Sequence, residues 1–239
     1  MLLKTQGIIL HTLRYNDQNL IVKIFTRHTG MQSYLVRSSR KSKNTALFQP
    51  LNILLLESRW QENKNLQRIK ECTVDYQYNL LPYHPERRAM AMMMNEFMIK
   101  CLQEGEANEE LFAFMMQSLI MLDQMEKTDP DFHIKFTIQL AQWLGFGIQN
   151  NFTSNQPVFS IREGCFVSKE LATDPNFCFS EQASLHLSTL LNKEKSLFNH
   201  AERNELLKNI IRYYQMHVPG FSTLKSHEVL MEVYDSSSK

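Results

Sequence analysis

Over the first 75 residues the apolar side chains come in short runs broken by polar clusters. After Pro82 they recur every three or four positions, so the chain changes its period once. Thr5–His11, Leu20–Thr26, Met31–Arg37, Leu51–Glu57 and Leu66–Cys72 are rich in Ile, Val, Leu and aromatics, which predicts five strands. In the second strand Leu20, Val22 and Ile24 fall on one face and Lys23 on the other. Turn residues stand between the runs: Tyr15-Asn16-Asp17, then His28-Thr29-Gly30 with a glycine suited to a positive φ, then Asn63-Lys64-Asn65. Five short antiparallel strands close most naturally as a small barrel. An OB-fold suits the count, and an SH3-like barrel has similar strand statistics, so the pattern leaves both open.

Beyond Pro82 the spacing is helical. Met90, Met94, Phe97 and Cys101 form one stripe. Leu111, Met115, Leu119 and Leu122 form another, behind Asn108 as a cap and with Glu109 and Glu110 in the first turn. A third helix is expected from Asp129 as cap and Pro130 at its first position to Leu144-Gly145, with Phe136, Leu140 and Leu144 on its apolar face. From 150 to 180 the pattern dissolves into Asn, Ser, Pro and Phe, which predicts a loop-rich insertion. Helices return over Glu181–Leu191 and Arg203–His217, and Asp235–Lys239 reads as a polar tail that frays. The expected fold class is α+β: a five-stranded barrel over residues 1–80, then a mainly helical domain over 81–239. The methionines Met90, Met92, Met93, Met94 and Met98 read first as adaptable core filling and second as a groove for partner peptides.

Composition narrows the function classes. With 43% hydrophobic and 21% charged residues the chain is that of a packed protein. No run approaches the roughly 18 apolar residues that span a bilayer, and MLLKTQGIIL is no signal peptide, so a cytoplasmic location away from membranes is expected. Cys72, Cys101, Cys165 and Cys178 form no CxxC pair, which signals neither a disulfide framework nor a zinc site; no cofactor is expected. Charge is divided unevenly. Residues 1–80 carry 12 Lys or Arg against 5 Asp or Glu, a net of +7, whereas residues 81–239 carry 14 against 20, a net of −6. A basic module of this kind is suited to a polyanion.

The densest cations lie in Val36–Asn44, where Arg37, Arg40, Lys41 and Lys43 are separated by small residues between two expected strands. Such a loop offers phosphate contacts, and it also suits a merely solvated turn. Arg68 and Lys70, two apart, share a face of the fifth strand, and Lys23 and Arg27 add charge on or near the second, so together they could make a nucleic-acid groove, with charge alone not choosing DNA over RNA. Tyr15, Phe25, Tyr34 and Trp60 are the aromatics available for stacking. Enzyme-like matches are weak. Ser38-Ser39-Arg40-Lys41 and Ser222-Thr223-Leu224-Lys225 fit S-x-x-K without the partner motifs, Gly145-Phe146-Gly147 follows a helix rather than a strand, and His227-Glu228 has Met231 where a second histidine would stand. No phosphate-cradling P-loop is present, so an enzyme is not indicated.

Taken as a series, several stretches resemble the RecO family of recombination mediators: Gly7–His11 with Tyr15–Leu20, Ile24-Phe25-Thr26-Arg27-His28-Thr29-Gly30, the Val36–Lys43 loop, and Leu47-Phe48-Gln49-Pro50-Leu51. Asn95-Glu96-Phe97, Gln139–Gly147 and Leu224–Leu230 resemble the landmarks of that family's helical domain. The resemblance implies an OB domain followed by a helical domain. It further implies binding of single- and double-stranded DNA, annealing of complementary strands, and help in loading RecA onto DNA coated by single-stranded-DNA-binding protein (SSB). The partners it implies are RecR and the acidic C-terminal tail of SSB, with Lys135 at the position associated with that tail. Two departures stand out. Arg37-Ser38 replaces the family's Lys-Gly, and Cys165 and Cys178 stand where many members carry a four-cysteine zinc element, which implies a metal-free version. An RNA-binding OB adaptor is the alternative that a barrel of this kind also permits.

Overall fold

In the computed structural model, which describes residues 2–37, 43–61 and 64–237, the N-terminal segment forms β1 (Leu2–Asn16), β2 (Asn19–Thr26), β3 (Gly30–Arg37), β4 (Ile53–Arg59) and β5 (Leu66–Tyr76). The strands bond in the order β1-β2-β3-β5-β4, and β4 returns to β1, so the barrel is closed. Every pair is antiparallel except β3 with β5. That order, closed by one parallel pair, is the OB topology and decides against the SH3-like alternative. Leu20, Val22 and Ile24 of β2, Tyr34 and Val36 of β3, and Leu54 and Leu56 of β4 fill the interior with Ile9 and Phe48, and Lys23 points outward as the alternation predicts.

Two strands depart from simple alternation for physical reasons. Ile8, Ile9 and Leu10 are all buried, because the register slips between Ile9 and His11 and the outer side of β1 and β2 is covered by α1 (Pro85–Cys101) and α2 (Glu109–Gln124). Asn95 of α1 donates to the Leu10 carbonyl at 2.9 Å, and Phe112 of α2 lies 5.7 Å from Phe25. β4 starts two residues later than the pattern suggests, since Leu51 has φ 76° and its N–H caps the Ile9 carbonyl at 2.7 Å. At Gly30, φ is +67° and a Cβ would stand 2.0 Å from the Glu106 carbonyl oxygen, so the β2–β3 turn needs glycine twice over.

By contacts the chain divides into two units, residues 1–127 and 128–239, and α1 and α2 belong with the barrel. Met90, Met93, Met94 and Met98 are fully buried and only Met92 of the cluster is exposed, which is the core reading. Asn108 caps α2 by accepting from the Leu111 N–H at 2.9 Å. Near the end of α2, fully buried Asp123 accepts from the backbone N–H groups of Asn79, Leu80 and Leu81 and from the Tyr76 hydroxyl.

In the second unit α3 (Phe132–Trp143) begins later than Asp129 and Pro130 suggest. Asp131 is its flanking residue, but the buried Asp131 carboxylate takes Arg203 at 2.6 Å and Ser196 instead of capping the helix. Gly145, at φ +86°, ends the helix. Residues 150–180 hold a short hairpin, β6 (Val158–Ser160) with β7 (Cys165–Val167), whose Phe159 and Phe166 are buried with Phe179. Strands of three residues are too short to show a period. Then follow α4 (Glu181–Leu191), α5 (His200–His217), opened by an Asn199–Glu202 capping box, and α6 (Ser226–Ser237). The polar C-terminal stretch is therefore helical as far as Ser237, and residues 238 and 239 lie outside the described ones.

Candidate nucleic-acid interface

Two rows of outward side chains cross the barrel. Leu13 of β1 faces Ile21 of β2, Ile21 faces Leu35 of β3, Leu35 faces Arg68 of β5, and Arg68 faces Arg59 of β4. The next row is His11, Lys23, Ser33 and Leu66. They point outward because the alternate positions Val22, Tyr34 and Gln67 are buried inward. The first row spans four strand spacings, about 19 Å at roughly 4.8 Å each. An apolar strip with Leu13 and Tyr15 well exposed at one end thus runs into two arginines at the other. OB-folds take oligonucleotides on this face of strands 2 and 3, between the β1–β2 and β4–β5 loops.

One side chain ties together the described residues at the two ends of the β4–β5 connection. Gln67, buried inside the barrel mouth, donates from Nε2 to the carbonyls of Gln61 at 2.8 Å and Lys64 at 2.7 Å, and its Oε1 accepts from the Gln61 N–H at 3.1 Å. Beside these bonds lies a hollow of about 290 Å³, lined by Arg59, Gln61, Lys64, Leu66, Gln67 and Arg68. Three cations and no carboxylate among these residues suit an anion such as phosphate. Across the barrel, Asn16 Oδ1 accepts from the Gln18 N–H at 3.0 Å and fixes the β1–β2 turn.

The residues expected from sequence distribute unevenly. Arg37 ends β3, exposed, opposite Asn19. Arg40 and Lys41 lie outside the described residues, and Lys43 begins a short 3-10 helix (Lys43–Phe48). Arg68 lines the 290 Å³ hollow. Lys70 sits where the β4–β5 register slips and reaches Glu57 at 2.7 Å, which holds the Glu57 carboxyl below its ordinary range; the other Glu57 oxygen takes Lys4 at 3.4 Å. Lys23 pairs with Glu104 at 3.0 Å and Arg27 with Glu109 at 3.0 Å, at the edge of the face toward the α1–α2 connection. Arg59 and Lys64 were not singled out by sequence. The turn at Asn63-Lys64-Asn65 carries the signal, since a hairpin centred there sets positions 59 and 68 opposite each other.

In the second unit Lys135, half-exposed, donates to Asp129 at 2.7 Å. With Ile138, Gln139, Leu190, Leu191 and Lys193 it lines a hollow of about 360 Å³. Lys193, at φ 57°, is the left-handed residue that ends α4. Two ammonium groups thus flank an apolar floor. Cys165 and Cys178 stand on either side of Ser160 in the hairpin region. Among the described residues no group of three or more His, Cys, Asp or Glu is placed to hold a metal ion, and no helix is long and apolar enough to cross a membrane.

Comparison with known proteins agrees with this architecture. Residues 1–78 match the family described as Recombination protein O N terminal, and residues 83–228 match Recombination protein O C terminal. A DNA repair protein RecO of Phocaeicola vulgatus is 36% identical over 240 residues, covering 98% of this chain and 100% of its own. Those of Bacteroides fragilis and Flavobacterium johnsoniae are 33% and 31% identical over 242 residues, with the same coverage. From its barrel through its helices, this chain belongs to the RecO family of DNA repair proteins.

Proposed function

We propose that the first unit lays single-stranded DNA across the outer face of β1, β2, β3 and β5, with phosphates held by Arg59, Lys64 and Arg68 and by the basic loop of Arg37, Arg40, Lys41 and Lys43. The observation that carries this reading is the cation hollow at the end of the apolar row, where Gln67 holds the Lys64 carbonyl. Lys23, Arg27 and Lys70 have carboxylate neighbours and serve as secondary contacts. A face that holds one strand by phosphates and apolar contacts, without reading base edges, leaves those edges available to a second strand. That supports the role of the family: binding single and double strands, annealing them and, with RecR, helping load RecA onto SSB-coated DNA. The second-unit hollow fits the acidic tail of SSB, because Lys135 and Lys193 can meet carboxylates above the apolar floor of Ile138 and Leu190. No turnover is invoked; the chain acts by binding.

The test is a titration of fluorescent single-stranded DNA at several salt concentrations. Each phosphate contact on a single strand adds roughly 0.7 to the slope of log affinity against log salt. Changing Arg59, Lys64 and Arg68 together to Ala should flatten the slope by about 2, which between 50 and 200 mM salt is a difference of about 18-fold. The same change at Arg40, Lys41 and Lys43 measures the share of the basic loop. Wild-type affinity and slope in both triple variants would remove DNA from this face, and RNA outcompeting DNA of equal sequence would favour the adaptor reading.

A further inference from the structure

Beside the cation hollow lies a larger one of about 410 Å³, and Lys64 lines both. It opens where the edge of β3 changes partner. At Met31 that edge is taken by Glu104, with the Gly105 N–H donating to the Met31 carbonyl at 3.1 Å; at Ser33 it is taken by Leu66 of β5. The two segments part between these points. Gln32 lines the opening, its Nε2 donating to the Thr29 carbonyl at 3.1 Å, and His28, Trp60, Asn65 and Glu104 are among its walls.

We infer that this hollow receives one unstacked base of the single strand, laid against the Trp60 ring while its phosphate rests among Arg59, Lys64 and Arg68. The inference rests on the phosphate-track reading above and adds to it a residue that tells single strands from duplex. Three features select this occupant. The volume lies in the range of roughly 300–1,000 Å³ that takes nucleoside-sized ligands. The Trp60 indole on its wall offers a stacking surface for any base. The neighbouring cations, shared through Lys64, match the phosphate that every nucleotide carries a few ångströms from its base. A paired base cannot enter, because its face is stacked and its edge is engaged, so the hollow favours unpaired DNA.

The chain has two tryptophans, Trp60 and Trp143, so Trp143→Phe leaves Trp60 as the sole indole reporter. In the full-length variant, Trp60 emission should be quenched to saturation by single-stranded oligonucleotide and much less by duplex at equal occupancy. Trp60→Ala should weaken single-strand binding about 5- to 150-fold, as expected for losing one stacked base. Its salt slope and its duplex affinity should be unchanged, and Trp60→Phe should retain most of the binding. An equal loss for duplex and single strand would mean that Trp60 only supports the loop, overturning the inference. So would absence of quenching together with unchanged affinity at the wild-type salt slope, an outcome that leaves the phosphate track standing. No single-strand binding by the wild type would bring down the phosphate track and this inference together. Should Trp60→Ala fail to fold, the quenching and Trp60→Phe measurements decide alone.

Discussion

Asp123 offers the sharpest test of how the first unit is held. Its Oδ1 accepts from the N–H groups of Leu81 at 2.7 Å and Leu80 at 2.9 Å, and its Oδ2 from the Tyr76 hydroxyl at 2.8 Å and the Asn79 N–H at 3.0 Å. These consecutive amides form a concave anion seat between β5 and α1, filled by the chain's own carboxylate. Asp123→Asn keeps the shape but removes the charge and one acceptor. Bonds to a charged group contribute about 1.5–3 kcal/mol each and neutral ones about 1 kcal/mol, so loss of the charge across these four bonds costs on the order of 3 kcal/mol. In urea, with an m-value of roughly 1–3 kcal/mol/M, the unfolding midpoint should drop by about 1–3 M. Burial by itself would raise the Asp123 pKa, but the bonds from Asn79, Leu81, Leu80 and Tyr76 outweigh it and leave the carboxyl below its ordinary value. A depressed native pKa stabilises fully above the unfolded value, near 3.9, and that stabilisation fades as pH falls through the native one. The gap between wild type and Asp123→Asn should therefore narrow below about pH 4. A variant as stable as wild type at pH 7, or a gap that stays constant into acid, would refute the reasoning.

Two further outcomes are expected in the second unit. Lys135→Glu sets a carboxylate in the 360 Å³ hollow and beside Asp129, so affinity for an SSB tail peptide should fall at least tenfold in isothermal titration while circular dichroism stays unchanged; undiminished affinity would remove Lys135 from that site. Burial pushes the His133 imidazole down to about 3 against the pull of Asp131, with Arg203 and His227 adding to the depression. Below about pH 6.5 the unfolded chain takes a proton that the folded one refuses, so stability falls by about 1.4 kcal/mol per pH unit. His133→Phe should flatten the stability curve between pH 6.5 and 5 by that slope, and parallel curves would show that His133 does not titrate as described.

The strands of the barrel were legible because β2, β3 and β4 each bury one face, and a half-buried strand writes its period into the sequence. Legibility failed where that condition lapsed. β1 carries Ile8, Ile9 and Leu10 in succession because helices cover its outside, and its exposed end runs on through Leu13 and Tyr15 without an alternating signature. The hairpin of residues 158–167 is too short to alternate at all. Asp129 and Pro130 had the chemistry of a helix start, yet Asp131, committed to Arg203, sets the first turn. In the candidate site, the cations clustered along the sequence were easy to see, whereas Arg59, Lys64 and Arg68 meet only through strand register. Lys23 and Arg27 looked as available as Arg68, and only tertiary packing sets Glu104 and Glu109 beside them.

The covering of β1 and β2 by α1 and α2 also governs how this protein can be cut and how its parts can be exchanged. The barrel reads as a self-sufficient module up to about residue 80, yet a fragment ended there would present Ile8, Leu10 and Phe25 to water and leave Gly30 without the Glu106 backbone it abuts. Apolar faces stripped in this way tend to aggregate. The smallest portable piece is the barrel carried together with its two helices, ending near Lys127. In grafts between relatives, the residues to keep together are therefore the outward side chains of the first two strands and the helix positions that face them, even though more than seventy residues separate them in sequence.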